Sequence, residues 1–516
     1  MSALIQTHPP NFFYMIRRKL WFVFALLTGA LNAGAVSSDS NQNRQSFEEF
    51  RKGILSDYQD FRQTLLDRYA DFLNGEWHEY ESYNGVKRYS KPKPRNVPKA
   101  DNSTDDKVKQ PSRPKRTTEP EIQPEIQETP LPEKPIDDKI KDKKGNRRND
   151  KFDEISFYGL PYQIPKIEFK ISDKLYANND YAAQWRELQK ADVAANVLPE
   201  IKKLSNEIGL NDYLTYQLIQ FYIDAKFPDA DDTSKMSAIH YLLANLGYDA
   251  RIAVTGRGVP LLLIPFKQTI YSRTYMMIGN KKYYVFEPEG FSLAKAGPQQ
   301  ILTCRLPEDI NNGKSMDLRV GKLNVPFKPK SFELAYGPVS LHGEVNENLM
   351  PILYHYPQMP VSDFANSDIQ PELRKQLVKQ MRSQLSSLEG DEAVSVLLQF
   401  MHNVFEYATD EDFHGFEKPY FLEETLYYPK NDCEDRAIFY TYFLWNALDR
   451  EAQLISFPGH EAATVRLDAP VEGTCYDYDG TTFYISDPTF IGSKTGMIMP
   501  VYRNTPPNID FTFQNK

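Results

Sequence analysis

One helix in this chain can have no exposed side. The run AIFYTYFLWNAL, residues 437–448, is apolar or aromatic around almost its whole circumference, so the fold must cover it from every direction. Its approach, YYPKNDCED, is of the opposite character and sets Cys433, one of only 3 cysteines, between acids. Asp432 reads as the helix N-cap, Cys433 as the first helical residue and Asp435 as the third, much as in a capping box. A cysteine at that position faces unpaired N–H groups and the positive end of the helix dipole, and both favour a thiolate. Asp432, Glu434 and Asp435 oppose it. A nearby imidazolium is therefore required to hold the thiolate at neutral pH.

SFPGHEAATVRL supplies the imidazole: His460 follows Pro458-Gly459 at the mouth of a strand, and alternation from Ala463 to Leu467 predicts that the strand is half-buried. TTFYISDPTFIG sets Asp487 at the end of another strand, where it can accept from the second ring nitrogen and fix the tautomer. Singly, each residue has a plain explanation. A cysteine before an apolar helix is usually a small buried hydrophobe, a Gly-His turn is usually structural, and an Asp-Pro usually ends a strand. In this order and spacing they read together as nucleophile, base and orienting acid. A metal site is the weaker reading, because no CxxC or HxxxH spacing exists and DCED lacks the ligand periodicity of a calcium loop.

NDCEDRA, PGHEAATV and YISDPTF resemble the three motifs of the transglutaminase-like superfamily, a branch of the papain-like cysteine enzymes. EETLYYPKNDCED resembles the approach to the nucleophile in its bacterial members. The resemblance covers about residues 385–500. It implies an α+β papain-like core, a buried helix on an antiparallel sheet, with Cys433, His460 and Asp487 as the catalytic triad. The implied reaction is acyl transfer at an amide of a protein or peptide substrate, with no cofactor and no metal. Water as acceptor gives a peptidase or amidase, which many bacterial members are; a lysine amine gives a cross-linking transglutaminase. Asn431 stands where the family often has glycine, and Ala462 where it often has an aromatic, which bears on groove shape. A non-catalytic envelope binding or scaffold protein on the same fold is the rival class.

The rest of the chain sets the context. Arg17, Arg18 and Lys19, the apolar run 20–32 and Ala33-Gly34-Ala35 make residues 1–35 a secretory signal peptide, with Met15 as an alternative start. No later run has spanning length, so the mature chain is expected without a transmembrane span, secreted or periplasmic in the cell envelope. A net charge of -9 over 516 residues is mild and argues against a nucleic-acid partner. Phe47, Phe50, Ile54, Tyr58, Phe61, Leu65, Tyr69 and Phe72 recur at helical spacing and predict an amphipathic helix over 45–80, a candidate for envelope or cell-wall association. Residues 90–151 contain no Phe, Tyr or Trp and are rich in proline and charge, so 86–151 reads as a disordered linker.

From residue 152 the apolar pattern returns. RIAVTG, VPLLLIPF, TYMMIG and KKYYVFEP read as strands, as do MDLRVGKL, SFELAYG and LMPILYHY in a β-rich intermediate region over 296–369. The stretch 152–295 also echoes the C-terminal part. SAIHYLLANLGYDARIAV resembles FYTYFLWNALDREAQLIS, and KYYVFEPEGF resembles TFYISDPTFI, at offsets of 202 (237 to 439) and 200 (282 to 482). The expectation is a duplication: a degenerate domain over 152–295 and a catalytic one over 370–516. The offsets set Asp231 against Cys433, Gly258 against His460 and Glu287 against Asp487, so the first copy lacks nucleophile and base. The two remaining cysteines, Cys304 and Cys475, are expected as free thiols in separate places.

Overall fold

In the computed structural model the described residues are 66, 68–75, 77–89, 91–100, 115–116, 151–296, 300–304 and 313–513. The signal segment 1–35, the expected helix over 45–65 and linker residues 101–114 and 117–150 lie outside them. Strands and longer helices are numbered in chain order. The first are β1 Trp77–Tyr80, β2 Ser82–Tyr83, β3 Lys115–Arg116, β4 Phe152–Phe157 and β5 Leu160–Pro165. Next come α1 Asn178–Lys190, α2 Val193–Ile208, α3 Asp212–Lys226 and α4 Asp232–Leu246, then β6 Arg251–Thr255, β7 Pro260–Ile264, β8 Tyr275–Ile278, β9 Lys281–Phe286 and β10 Ile301–Cys304. A hairpin, β11 Pro329–Tyr336 and β12 Val339–Asn346, leads to α5 Pro371–Leu385, α6 Glu392–Val404, β13 Glu406–Tyr407, α7 Leu422–Tyr427, β14 Lys430–Asn431 and α8 Cys433–Asn446. The chain closes with β15 Ala452–Phe457, β16 His460–Val465, β17 Cys475–Tyr478, β18 Thr481–Ile485 and β19 Asn508–Phe513.

The fold is mixed α+β. One sheet runs β1-β10-β6-β7-β9-β8-β2 and is antiparallel throughout. Its two edge strands are separated in sequence only by Glu81, so the sheet curls nearly into a barrel. The other runs β17-β18-β16-β15-β19-β3, antiparallel except at the β19–β3 edge. Read from β10 and from β19, both follow one order: β10-β6-β7-β9-β8 against β19-β15-β16-β18-β17. The β8–β9 pairs run from Tyr275↔Tyr284 to Ile278↔Lys281, and the β17–β18 pairs from Cys475↔Tyr484 to Tyr478↔Thr481, the same register.

The β6–β7 and β15–β16 hairpins differ by one residue. The first turns through Gly256-Arg257-Gly258, closed by Thr255 N–H on Val259 O at 2.9 Å, and the second through Pro458-Gly459. Gly258 and Gly459 share left-handed φ values of 78° and 77°. Val259, not Gly258, therefore occupies the place that matches His460. The helix caps shift by one as well: Asp231 caps α4 as Asp432 precedes α8, so Asp232 is the residue at the position of Cys433. A gapless alignment cannot register a one-residue change of turn length.

Both α4 and α8 are buried nearly all round, as a helix without a polar face must be. Each sheet lays one face on the shared helical core and covers the other with its own cluster, Leu261 and Tyr283 on the first, Phe457, Tyr476 and Phe490 on the second. This second cover corrects the half-buried reading of β16, in which all six residues are buried.

Other expectations change too. Residues 66 and 68–73 are helical, but Trp77–Tyr80 of the expected 45–80 helix is strand β1, paired with β10. Strand β10 falls in the expected 296–369 region yet belongs to the first sheet. LMPILYHY is helical over Met350–Tyr354, because Asn346 caps the turn before it and proline suits a first helical turn. MDLRVGKL buries alternate residues and Met316 makes an isolated parallel bridge to Phe266, but the next amides bond side chains, Asp317 N–H to Asp212 and Leu318 N–H to Gln268, so no strand extends from it. All 3 cysteines are free, Cys304 buried on β10 and Cys475 half-buried on β17. Among the described residues no helix is long and apolar enough to cross a membrane.

Candidate active site

The head of α8 and the hairpin β15–β16 bring Cys433 and His460 to one place, and the end of β18 adds Asp487. His460 Nε2 lies 2.8 Å from Asp487 Oδ2. The other carboxylate oxygen accepts the Thr489 and Phe490 amides at 2.8 and 3.2 Å, so the acid is held from both sides and Nε2 carries the ring proton. His460 Nδ1 is buried and has no hydrogen-bond partner among the described residues. The ring stacks on Tyr502 at 5.7 Å between centroids and 3° between planes, and Tyr502 stacks in turn on Phe457 at 4.6 Å. Tyr502 Oη donates to Pro458 O at 3.1 Å, which ties this aromatic support to the turn before His460.

Cys433 begins α8 and is fully buried. Its sulfur accepts the backbone N–H of Glu461, the residue after His460. Its Sγ donates to Glu434 Oε2 at 3.3 Å. Burial pushes the thiol well above its ordinary pKa, and the charges of Glu434 and Asp432 push the same way. The resting sulfur is thus a thiol, where the helix dipole alone predicts a thiolate. Asp432 does not serve as the expected side-chain cap. Asp435 Oδ2 accepts the Asp432 N–H at 3.3 Å, while the Asp432 carboxylate turns to Lys93 and to the Asp410 amide. Asn431 accepts from Arg436 Nε at 2.8 Å and so holds the first turn of α8.

Lys93 is the residue that sequence reasoning missed. Its ammonium lies 3.2 Å from Asp410, 2.7 Å from Glu417 and 2.8 Å from Asp432, and also bonds Glu434. Asp435 completes the nest by accepting the Tyr420 amide at 2.8 Å. Five carboxyl groups face one cation, so they cannot all ionise. Burial raises Asp410 to about 6 and Glu417 to about 8 against the pull of Lys93. Burial also raises Asp432 and Asp435 far above the usual range, with neighbouring acids adding to it. Glu434 goes the other way, to about 2: burial opposes its charge, but Lys93 and a hydrogen bond with Asp432 outweigh that. These acids form three groups whose ligand atoms lie within 4.8 Å of one another, close enough to hold a metal ion, and one of the groups, Asp432 with Glu434, includes the Cys433 sulfur.

Lys93 arrives on residues 86–100, the first part of the expected linker. Residues 86–89 and 91–100 are fixed against the site, not free of it. Arg88 pairs with buried Glu461 at 3.1 Å, and Tyr407 Oη donates to Pro94 O at 2.6 Å. The signal that was available lies in DCED itself. Three acids at the head of a helix that must be buried require a cation from elsewhere. Compared with known proteins, the chain matches no family model and no curated sequence.

Proposed function

We propose that the protein is a cysteine-dependent acyl-transfer enzyme that hydrolyses amide bonds of a protein or peptide substrate, on a transglutaminase-like, papain-like fold present in two copies. The observation that carries the reading is the buried His460 ring, bonded through Nε2 to Asp487 and open at Nδ1, with the amide of the next residue, Glu461, bonded to the sulfur of the cysteine that starts a buried helix. Nδ1 takes the proton of Cys433 as the sulfur attacks the substrate carbonyl, because the resting group is a thiol and not a thiolate. N–H groups of the first turn of α8 stabilise the oxyanion. His460 passes the proton to the leaving amine. It then takes one from water, which attacks the thioester, and returns it to the Cys433 sulfur as the acid leaves.

The shared strand order and the equal β8–β9 and β17–β18 registers support the two-copy reading. With Asp232 and Val259 at the matching positions, the first copy cannot run this chemistry. A secreted or periplasmic setting remains part of the proposal. The rival scaffold reading is favoured by one observation: Cys433 Sγ donates to Glu434, and His460 Nδ1 has no hydrogen-bond partner among the described residues. Labelling of Cys433 by an electrophilic peptide probe separates the two. Labelling that is lost in His460→Ala supports the enzyme. Labelling equal in both proteins makes Cys433 an ordinary thiol and removes the mechanism.

A further inference from the structure

Residues 86–89 and 91–100 run across the candidate site. Val86 O accepts the Ser272 amide at 2.9 Å. Tyr89 Oη and Arg88 reach Glu461, next to His460. Lys91 and Pro92 press their carbonyls against Gly459, where a Cβ would come within 2.8 and 2.7 Å of them. Pro94 meets Tyr407 of β13, and Pro98 and Ala100 exchange backbone bonds of 2.9 Å with Ile491, just past Asp487. The segment thus passes each element of the triad in turn. One of its side chains, Lys93, enters the acid nest to 5% exposure.

We propose that the acid nest beside Cys433 is the subsite for a lysine side chain of the substrate, and that residues 86–100 occupy it as a built-in substrate mimic that must leave before substrate enters. The proposal rests on the catalytic reading above. Acids alone do not make a site, but two further observations point to a ligand. A cationic side chain from the far end of the sequence is already seated there. His460 Nδ1 and Asp432 Oδ1, both on fully buried side chains, have no partner among the described residues. The form of the occupant is informative. A primary ammonium offers three donors from a point, and Lys93 directs them to Asp410, Asp432 and Glu434 while Glu417 adds an ion pair, a convergent arrangement that suits a compact ammonium better than a planar guanidinium fork. Arg88, on the same segment, is sent to Glu461 instead. An approach exists: a groove of about 890 Å³, bordered by Tyr271, Arg273 and Glu287, reaches the nest at Glu417.

The experiment uses the full chain, with two variants. Ile491→Pro removes the amide that holds Pro98 and loosens the segment without touching a charge, and Lys93→Ala empties the nest. Both are expected to label Cys433 with the peptide probe about tenfold faster than wild type, with His460 still required. Nα-acetyl-lysine methylamide is expected to slow that labelling and to raise the melting temperature of Lys93→Ala, and the norleucine analogue to do neither. Should Lys93→Ala not fold, Ile491→Pro carries both the labelling and the competition arms. Folded variants that label no faster than wild type overturn the mimic. Equal effects of lysine and norleucine overturn the subsite, as does stabilisation by calcium alone. Failure of the catalytic reading looks different: no variant labels in a His460-dependent way, while the melting-temperature arm still tests the pocket.

Discussion

The two sheets share a strand order but differ at the head of the helix each packs against. In the first, cap residue Asp231 pairs with Lys174, and the side chains are 33% and 48% exposed. In the second, Asp432 pairs with Lys93 at 0% and 5%. Burial opposes the Asp231 charge, but the Thr233 and Lys174 donors together outweigh it and hold its carboxyl below the usual value. Burial drives Asp432 the opposite way. The first arrangement is all that capping a helix needs. The second keeps several acids and a lysine out of water, which a fold has no need of, and it does so beside the one cysteine that starts a helix.

The largest effect expected from this contrast is on turnover. Cys433→Ala should lower amide hydrolysis by at least about 10³-fold, and Asp487→Asn should leave a weak remnant because the base survives with a disturbed tautomer. Asp232→Ala, at the matching position of the first helix, should leave the rate unchanged. A parallel loss there, in rate assays on folded protein, would break the division of roles. Next is stability. Lys93→Ala strands buried carboxylates and should cost about 3–5 kcal/mol in denaturant unfolding. Lys174→Ala removes an exposed pair and should cost about 1 kcal/mol or less. Equal costs would mean that the nest is far wetter than its burial implies.

The pH dependence of stability should also differ in sign. Asp410 and Glu417 have folded values raised to about 6 and about 8, so between about pH 5 and 8 the folded protein binds more protons than the unfolded chain. Their contribution is full below the unfolded values and is lost as pH rises through the folded ones. Glu417→Gln should flatten the upper part of that decline in melting-temperature profiles. Asp231, with a lowered value, contributes above its unfolded pKa and loses that contribution as pH falls. The smallest effect belongs to Val259→His, which puts an imidazole at the matching place on the first hairpin. It should change stability by no more than about 0.5 kcal/mol and add no activity, because Asp232 still stands where a thiol is needed. New labelling in the first half that depends on the introduced imidazole would overturn the assignment.

Much of this was legible in the chain. The burial of α8 follows from its lack of a polar face, and RIAVTG, VPLLLIPF, TYMMIG and KKYYVFEP all form strands of the first sheet. The meeting of His460 with Asp487 follows from their places at strand ends. Two features were hidden for physical reasons. Proline and charge make 86–100 look like a tether, since composition reports what a segment can bury by itself and not what another part of the chain can bury around it. The one-residue difference between the hairpins shows only in hydrogen-bond register.

That remoteness bears on how the molecule is made. Lys93 and Glu434 are 341 positions apart, so the cation leaves the ribosome long before any acid of the nest exists. Until residues 91–100 dock, Asp432 and Glu434 lack their ion-pair partner Lys93, and closing α8 over them would bury carboxylates without it. The two ends of the described chain must therefore settle in one late step, and contacts of such sequence separation form slowly. A protein built this way has no stage of its synthesis at which the thiol is complete and uncovered.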